Sequence, residues 1–483
     1  MTRNFKAGEI LVTGLSIAAV STSLYAGDAP KVTEKKNNVL FIICDDLRTE
    51  LECYNHSMVK TPNINRLAEN GVVFNRSYCN IPVCGASRAS ILTGMRPTRN
   101  AFSFWNLRVD KEAPNAMTLN RTFKEAGYIT ISNGKVFHHQ DEASSVYWDD
   151  TMPYPNPLDY QTEENKAFLR IQKETGTRKR GLYYEKADLP EAEYMDGKMV
   201  QKSLSDLKKL SFEKKPFFLA VGFVRPHLPF VVPKKYWDLY DHNKIRIPDN
   251  YVLKEGNQIP PHALTHWDEL LAYRGIPDEG PLSEDAARTM IHGYYACVSY
   301  VDALIGQLLD EVERLGLKEN TTIVLIGDHG WNLGEHGMWC KHSIMQTSLH
   351  APLIIQTPGG LKGYRTNEIV EYIDLYPTFC DIASLPKTGQ LEGQSLYPLL
   401  HDKKAMGKGY AIARWNNGFT YLDDQYSYTE WWDKNDEITD RMLFDHTTDP
   451  DENYNLAGKS WYQNIVKELS MKLKSSRGKN YLK

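Results

Sequence analysis

The chain has 483 residues, 41% hydrophobic and 24% charged, an ordinary globular composition with material for one large or two unequal domains. Its 57 lysines and arginines face 61 aspartates and glutamates, a formal net charge of −4, so no global basic field recruits nucleic acid and an acidic ligand has to be met by a local basic pocket. Seven cysteines occur with no CxxC pair and no zinc spacing.

Met1 to Lys6 is short and basic, Ile10 to Val20 is apolar, and small residues lead to Ala26. This pattern predicts a cleavable export signal over residues 1–26 and a secreted or periplasmic protein. The apolar core is shorter than the ~20 residues of a membrane span, so no stable membrane insertion is expected. In an exported chain the odd cysteine count leaves one thiol unpaired, with the pairing of the others open.

The first predicted strand, Asn38 to Ile43, is a continuous apolar run that ends in Cys44-Asp45-Asp46. Adjacent acids at the C-terminal edge of a buried strand stand where α/β folds bind ligands, which favours metal ligation over a solvated turn. Thr61 and Pro62 open a helix, and Gly71 to Tyr78 is a second strand. It leads to Cys84-Gly85-Ala86-Ser87-Arg88, where Pro82 and Gly85 suit a turn and Ala86 to Leu92 begins a helix. Cys84 then lies beside free amide donors, with Arg88 one turn on over the same face. A cysteine under a guanidinium suits an oxyanion such as sulfate or phosphate, with a buried structural thiol the equal alternative on this stretch alone.

The segment Phe102 to Trp105 is rich in aromatics that either pack in the core or line a sugar pocket. A helix over Thr118 to Gly127 and a strand over Tyr128 to Asn133 precede Gly134-Lys135-Val136-Phe137-His138, which offers a cation and a proton acceptor. Residues 140–200 read as a loop-rich insertion, closing with a helix from Met199 to Leu210. Pro216 to Phe223 is another buried strand, followed by Arg225-Pro226-His227-Leu228-Pro229, in which two prolines fix His227. Gly293 to Leu315 has helical spacing, and its Asp302 is expected to face solvent or cap a neighbour.

Thr321 to Ile326 is a strand like the first, ending in Gly327-Asp328-His329-Gly330-Trp331, with Lys341 beyond. Two chain-distant strands that both end in acids are the pattern of a metal site assembled from separate loops. Leu353 to Gln356 is a further strand and Val370 to Ala383 a helix. Four short aromatic strands between Tyr410 and Asp445 and a helix from about Ser460 to Lys474 finish the chain. Buried strands alternating with helices predict an α/β fold, a mostly parallel sheet sandwiched by helices.

Cys84-x-Ala86-x-Arg88 followed by Ala89-Ser90-Ile91-Leu92-Thr93-Gly94 resembles the maturation signal of type I sulfatases. In that family the cysteine is oxidised to formylglycine, whose hydrated aldehyde is the nucleophile. The usual proline is replaced by Ala86, which leaves the maturation enzyme open between the oxygen-dependent formylglycine-generating type and the radical-SAM type and tilts toward the latter. Gly-Lys-Val-Phe-His, Arg-Pro-His-Leu-Pro-Phe and Asp-His-Gly-Trp resemble the iduronate-2-sulfatase branch, as does His329 where many members have asparagine.

The resemblance implies an alkaline-phosphatase-like catalytic domain over 27–404 and a C-terminal α+β subdomain on an antiparallel sheet over 405–483. It further implies one calcium held by Asp45, Asp46, Asp328, His329 and an oxygen of modified Cys84. Arg88 would stabilise the nucleophile, Asp328 would act as base, and Lys135 and Lys341 would neutralise sulfate. His227 or Lys341 would protonate the leaving sugar, and His138 would break down a sulfoenzyme intermediate. Trp331 and Arg225 are substrate-contact candidates. The implied substrate is a sulfated carbohydrate, of uronic-acid glycan or algal polysaccharide type. A phosphoester hydrolase of the same superfamily and an exported glycan-binding protein with a degenerate site are the alternatives.

Overall fold

Strand β1 (Asn38–Cys44) is buried at every residue, as a strand must be when helices cover both faces of its sheet. The structure, a computed structural model, describes residues 1, 36–139, 141–142, 146–154, 157–176, 179–265 and 268–476. Apart from Met1, the expected export signal lies outside the described residues. No helix among the described residues is long and apolar enough to cross a membrane.

Around β1 an eight-stranded sheet is built from β2 (Val72–Tyr78), β3 (Ile129–Gly134), β4 (Asp150–Met152), β5 (Phe217–Phe223), β6 (Thr321–Gly327), β7 (Leu353–Gln356) and β8 (Tyr364–Glu371), in the order β8-β2-β7-β6-β1-β5-β3-β4. Of these, β7 alone runs against the others. The strand period of two sends alternate side chains to opposite faces. Leu40 and Ile42 join one core with α1 (Pro62–Glu69), α4 (Met195–Leu210) and the long α5 (Glu284–Arg314). Val39, Phe41 and Ile43 join the other with α2 (Cys84–Thr93), α3 (Leu119–Glu125) and α6 (Leu375–Ile382). This is the helix–sheet–helix sandwich expected.

The C-terminal region forms a separate antiparallel sheet of β9 (Ala411–Trp415), β10 (Gly418–Leu422), β11 (Tyr426–Trp432) and β12 (Ile438–Asp445), its apolar face covered by α7 (Gln463–Ser476).

Three expectations are corrected. The helix expected from Val370 starts only at Leu375, because Tyr364–Glu371 pairs with β2 as an edge strand and a single 3-10 turn, Tyr372–Asp374, intervenes. The insertion expected to be loops carries a 13-residue helix, Glu163–Thr175, and two short strands that pair with Tyr273–Arg274 and Phe230–Pro233. All seven cysteines are free thiols, with no disulfide among them. Asp302 does cap a neighbour: its buried carboxylate accepts from the backbone N–H groups of Asn63 (3.1 Å) and Ile64 (2.7 Å) at the start of α1.

Two glycines let the chain beyond β3 approach β5. Gly134 and Gly222 are cross-strand partners, and the Lys135 N–H donates to the Gly222 carbonyl at 2.7 Å. A Cβ at residue 222 would stand 2.0 Å from the Lys135 carbonyl oxygen. Gly222→Ala is therefore expected to displace Lys135 and cost about 1–3 kcal/mol, read as a lower unfolding temperature in a thermal melt.

Candidate active site

β1 and β6 are parallel neighbours with Cys44 opposite Gly327, so the residues that follow them emerge side by side at the C-terminal edge of the sheet. The register brings Asp45-Asp46 against Asp328-His329 across 282 residues of chain: the Asp46 N–H donates to Asp328 Oδ1 at 3.0 Å. Asp46 adopts φ 63°, a left-handed conformation unusual for a non-glycine residue. Cys84 is the first residue of α2, a helix buried along its whole length.

Three cations enter this cluster of acids. Arg88 Nε donates to Asp328 Oδ2 at 2.8 Å, its Nη1 bonds the backbone carbonyls of Lys135 and Val136, and its Nη2 lies 3.6 Å from Asp45 Oδ1. Lys135 pairs with Asp45 Oδ2. Lys341 donates to both oxygens of Asp46 at 3.0 and 3.1 Å and sits 5.1 Å above the Trp331 ring. Arg88, Lys135 and Lys341 are all buried, so they face carboxylates in a medium that screens them weakly. Burial and the Asp45 carboxylate oppose ionisation of Cys84, but Lys135 and Lys341 beside it prevail and bring its thiol below the usual range.

Ligand atoms of Asp45, Cys84, Asp328 and His329 all lie within 4.8 Å of one another, and a second group joins Asp46, Cys84 and His227. Of the five expected ligands, four thus converge, while Asp46 stands beside them in the grip of Lys341. The cluster fits a cation. Asp45 Oδ1 and His329 Nε2 are buried without a hydrogen-bond partner. His329 Nδ1 donates to the Gly330 carbonyl at 2.9 Å, which leaves Nε2 as the nitrogen with a free lone pair in the neutral ring. Carboxylates supply the hard oxygen donors a divalent ion such as calcium requires.

The remaining expected residues divide. His227 Nδ1 donates to the Leu228 carbonyl, and its Nε2 lies 3.0 Å from Glu269 Oε1 and 3.9 Å from Asp46 Oδ2. Burial and Lys341 oppose charging of this ring, but Asp46, Glu269 and Asp45 outweigh them and raise its pKa, so it holds a proton to give. His138 is the reverse: burial and then Lys135 push it down to about 3, so its ring is neutral. Trp331 and Arg225, expected at the substrate, are buried at 0% and 2% exposure. Trp331 lies under Lys341 and stacks with Tyr294, while all three donor nitrogens of Arg225 bond backbone carbonyls, of Pro157, His227 and Val231. Arg225 is thus tied into the backbone around it, and Trp331 packs under the lysine that grips Asp46.

Sequence reasoning missed Glu269. Its carboxylate reaches His227 at 3.0 Å and Lys341 at 3.1 Å and so holds together the two candidate proton donors. It sits on a four-residue helix, Asp268–Leu271, too short to leave a periodic signal. An acid just before the apolar pair Leu270-Leu271 was the only hint.

Comparison with known proteins agrees with this geometry. The profile of the family described as Sulfatase matches residues 37–385, and that of the C-terminal region of N-sulphoglucosamine sulphohydrolase matches 334–479. Iduronate 2-sulfatase of Mus musculus is 34% identical over 386 residues, covering 72% of this chain and 69% of that protein. A sulfatase of Formosa agariphila is 32% identical over 456 residues, 90% of this chain and 85% of its own. Among solved structures, a phosphonate monoester hydrolase from Silicibacter pomeroyi superposes with a TM-score of 0.74 at 22% identity, over 92% of this chain and 95% of that one, a likeness of fold. By a family match over most of its length and 34% identity to a sulfatase over 72% of it, the chain belongs to the sulfatase family, among the sulfuric ester hydrolases.

Proposed function

We propose that the protein is an exported sulfatase that cleaves sulfate esters of carbohydrates, with uronic-acid-containing glycans as the favoured class. The observation that carries this reading is the placement of Cys84 at a helix start, within ligand distance of Asp45, Asp328 and His329 and under Arg88. The iduronate 2-sulfatases among its relatives point to the sugar, and the N-terminal pattern of the sequence supports export.

Oxidation of Cys84 by a radical-SAM or formylglycine-generating maturation enzyme would supply an aldehyde hydrate, one hydroxyl of which attacks sulfur while the other, on losing its proton, lets the sulfated intermediate collapse to aldehyde and free sulfate. Calcium, held by Asp45, Asp328, His329 and the modified residue 84 with Asp46 adjacent, would polarise the sulfate oxygens. Arg88 orients Asp328 and places a fixed positive charge where the nucleophile loses its proton. Asp328 accepts that proton. Lys135 and Lys341 stay charged, because against the cost of burial Asp45 holds the first and Asp46 the second, and they neutralise sulfate oxygens. His227 gives a proton to the departing sugar oxygen, and His138 takes one from the second hydroxyl of the hydrate.

Glu269 enters as a positioning residue for His227 and Lys341. Glu269→Gln keeps the shape but loses the charge, so kcat is expected to fall roughly 10- to 100-fold as proton donation weakens. Parent-like kcat in steady-state assays would remove Glu269 from this role.

The decisive experiment measures sulfate release by ion chromatography. Protein from a maturation-competent host is incubated with a panel of sulfated mono- and disaccharides, including 2-sulfated uronic acids, beside 4-nitrophenyl sulfate and 4-nitrophenyl phosphate. Release from uronic-acid saccharides, lost on chelation, is the expected result. Turnover of the phosphate ester alone would replace the reading with a phosphoester hydrolase, and no turnover of any ester would leave a glycan-binding protein.

A further inference from the structure

We propose that Phe104 and Trp105 form the carbohydrate-binding face of this site, a stacking platform for the sugar that carries the ester. This rests on the glycan reading above.

The segment Phe102 to Trp105 is split by its backbone. Phe102 adopts φ 55°, a conformation rare for a bulky side chain, and its N–H is tied to Glu112 Oε2 at 2.6 Å. The turn drives the Phe102 ring wholly into the core and sends the next two aromatics outward. Phe104 remains 52% exposed and Trp105 48%, their rings 6.1 Å apart and inclined by 43°. Leaving two large aromatics half in water forgoes burial worth on the order of a kcal/mol each, although the core beneath accepts the neighbouring Phe102 completely.

Their place in the fold ties them to the chemistry. The Trp105 carbonyl lies so close to α2 that a Cβ on Gly85 would be 1.9 Å from it, which seats Trp105 directly beside Cys84. The Trp105 ring meets His138 edge-on, with centroids 5.9 Å apart. On its other side the His138 segment is held by Tyr154, whose hydroxyl donates to the His138 carbonyl at 2.9 Å and whose ring lies 5.7 Å from the Lys135 ammonium. An exposed aromatic face thus borders the half-buried His138, which Tyr154 in turn links to Lys135. The C–H face of a pyranose is apolar and its rim polar, so the ring stacks on an aromatic surface while its ester points to the charged floor.

The test uses matured protein with two substrates, a sulfated uronic-acid disaccharide and 4-nitrophenyl sulfate, and adds calorimetric binding of the disaccharide in a Cys84→Ala background. Trp105→Ala is expected to lower the ratio of kcat/KM for the saccharide over the aryl ester about tenfold, mainly through KM, and to weaken saccharide binding to match. Phe104→Ala should act in the same direction, and Trp105→Phe should restore most of the ratio. Equal loss on both substrates, or an unchanged ratio with unchanged binding, overturns the platform while leaving the glycan reading intact. A parent that neither binds nor desulfates any saccharide, yet hydrolyses the aryl ester, overturns both.

Discussion

Replacing Cys84 with alanine is expected to lower kcat by roughly 10⁴-fold or more, to the background of the assay, while the protein folds and melts nearly as the parent does. The reason is positional. Cys84 is 3% exposed and begins a helix whose ten residues are all buried, so its side chain is held by the fold rather than by its own contacts. Removing one sulfur from such a site creates only a small cavity in a polar cluster. Chemically, nothing nearby substitutes. Ser87 Oγ donates to the Asp328 backbone carbonyl and Ser90 Oγ to the Met95 carbonyl, so neither hydroxyl is aimed at the acids. The parent peptide carrying residue 84 should weigh about 18 mass units less than its thiol form after expression in a maturation-competent host, since sulfur and hydrogens give way to an aldehyde oxygen. A fully active Cys84→Ala protein, or an active parent with an intact thiol, would remove formylglycine from the account.

Much of this arrangement was legible in the chain because strands end abruptly. Asp45-Asp46 and Asp328-His329 each follow an uninterrupted apolar run, and two central parallel strands must bring their C-terminal ends together. The same logic placed Lys135 and His138 after β3 and His227 after β5. What the sequence hid are features without a period. The helix Glu163–Thr175 buries only Asn165, so no apolar stripe marks it. Residues Tyr364–Glu371 mix exposed polar and buried apolar positions on a strand at the sheet edge and read as the prelude to a helix. Glu269 becomes functional only through two residues distant in the chain, His227 and Lys341. Trp331 and Arg225 lie in motifs but point into the protein, and side-chain direction at a loop is set by tertiary packing. In the aromatic segment at 102–105, Phe102 packs in the core as one of its two readings had it, while Phe104 and Trp105 stay half exposed beyond the left-handed Phe102.

The second large effect is expected at Asp328. Asp328→Asn should reduce kcat/KM by on the order of 10³-fold, close to 4 kcal/mol of transition-state stabilisation. Three functions meet on this carboxylate. Its Oδ2 receives Arg88 Nε at 2.8 Å, its Oδ1 receives the Asp46 N–H at 3.0 Å, and its oxygens belong to the converging set with Asp45, Cys84 and His329. An amide keeps the volume and one acceptor. It presents an NH₂ group either to Arg88, donor against donor, or to the Asp46 N–H, and it gives up the charge that balances a wholly buried guanidinium. Arg88 retains the Lys135 and Val136 carbonyls and the nearby Asp45, so the loss of stability should stay within about 3–5 kcal/mol and leave a folded protein. Metal content separates the contributions. If Asp328 is both ligand and base, mass spectrometry of the purified variant should find substoichiometric divalent ion, and added calcium should recover only part of the activity. Full recovery at high calcium would reduce Asp328 to a ligand and move the base elsewhere. Parent-like metal content with activity still lost would instead make its proton-accepting role the dominant one, because the fold and the cation would both have survived the change.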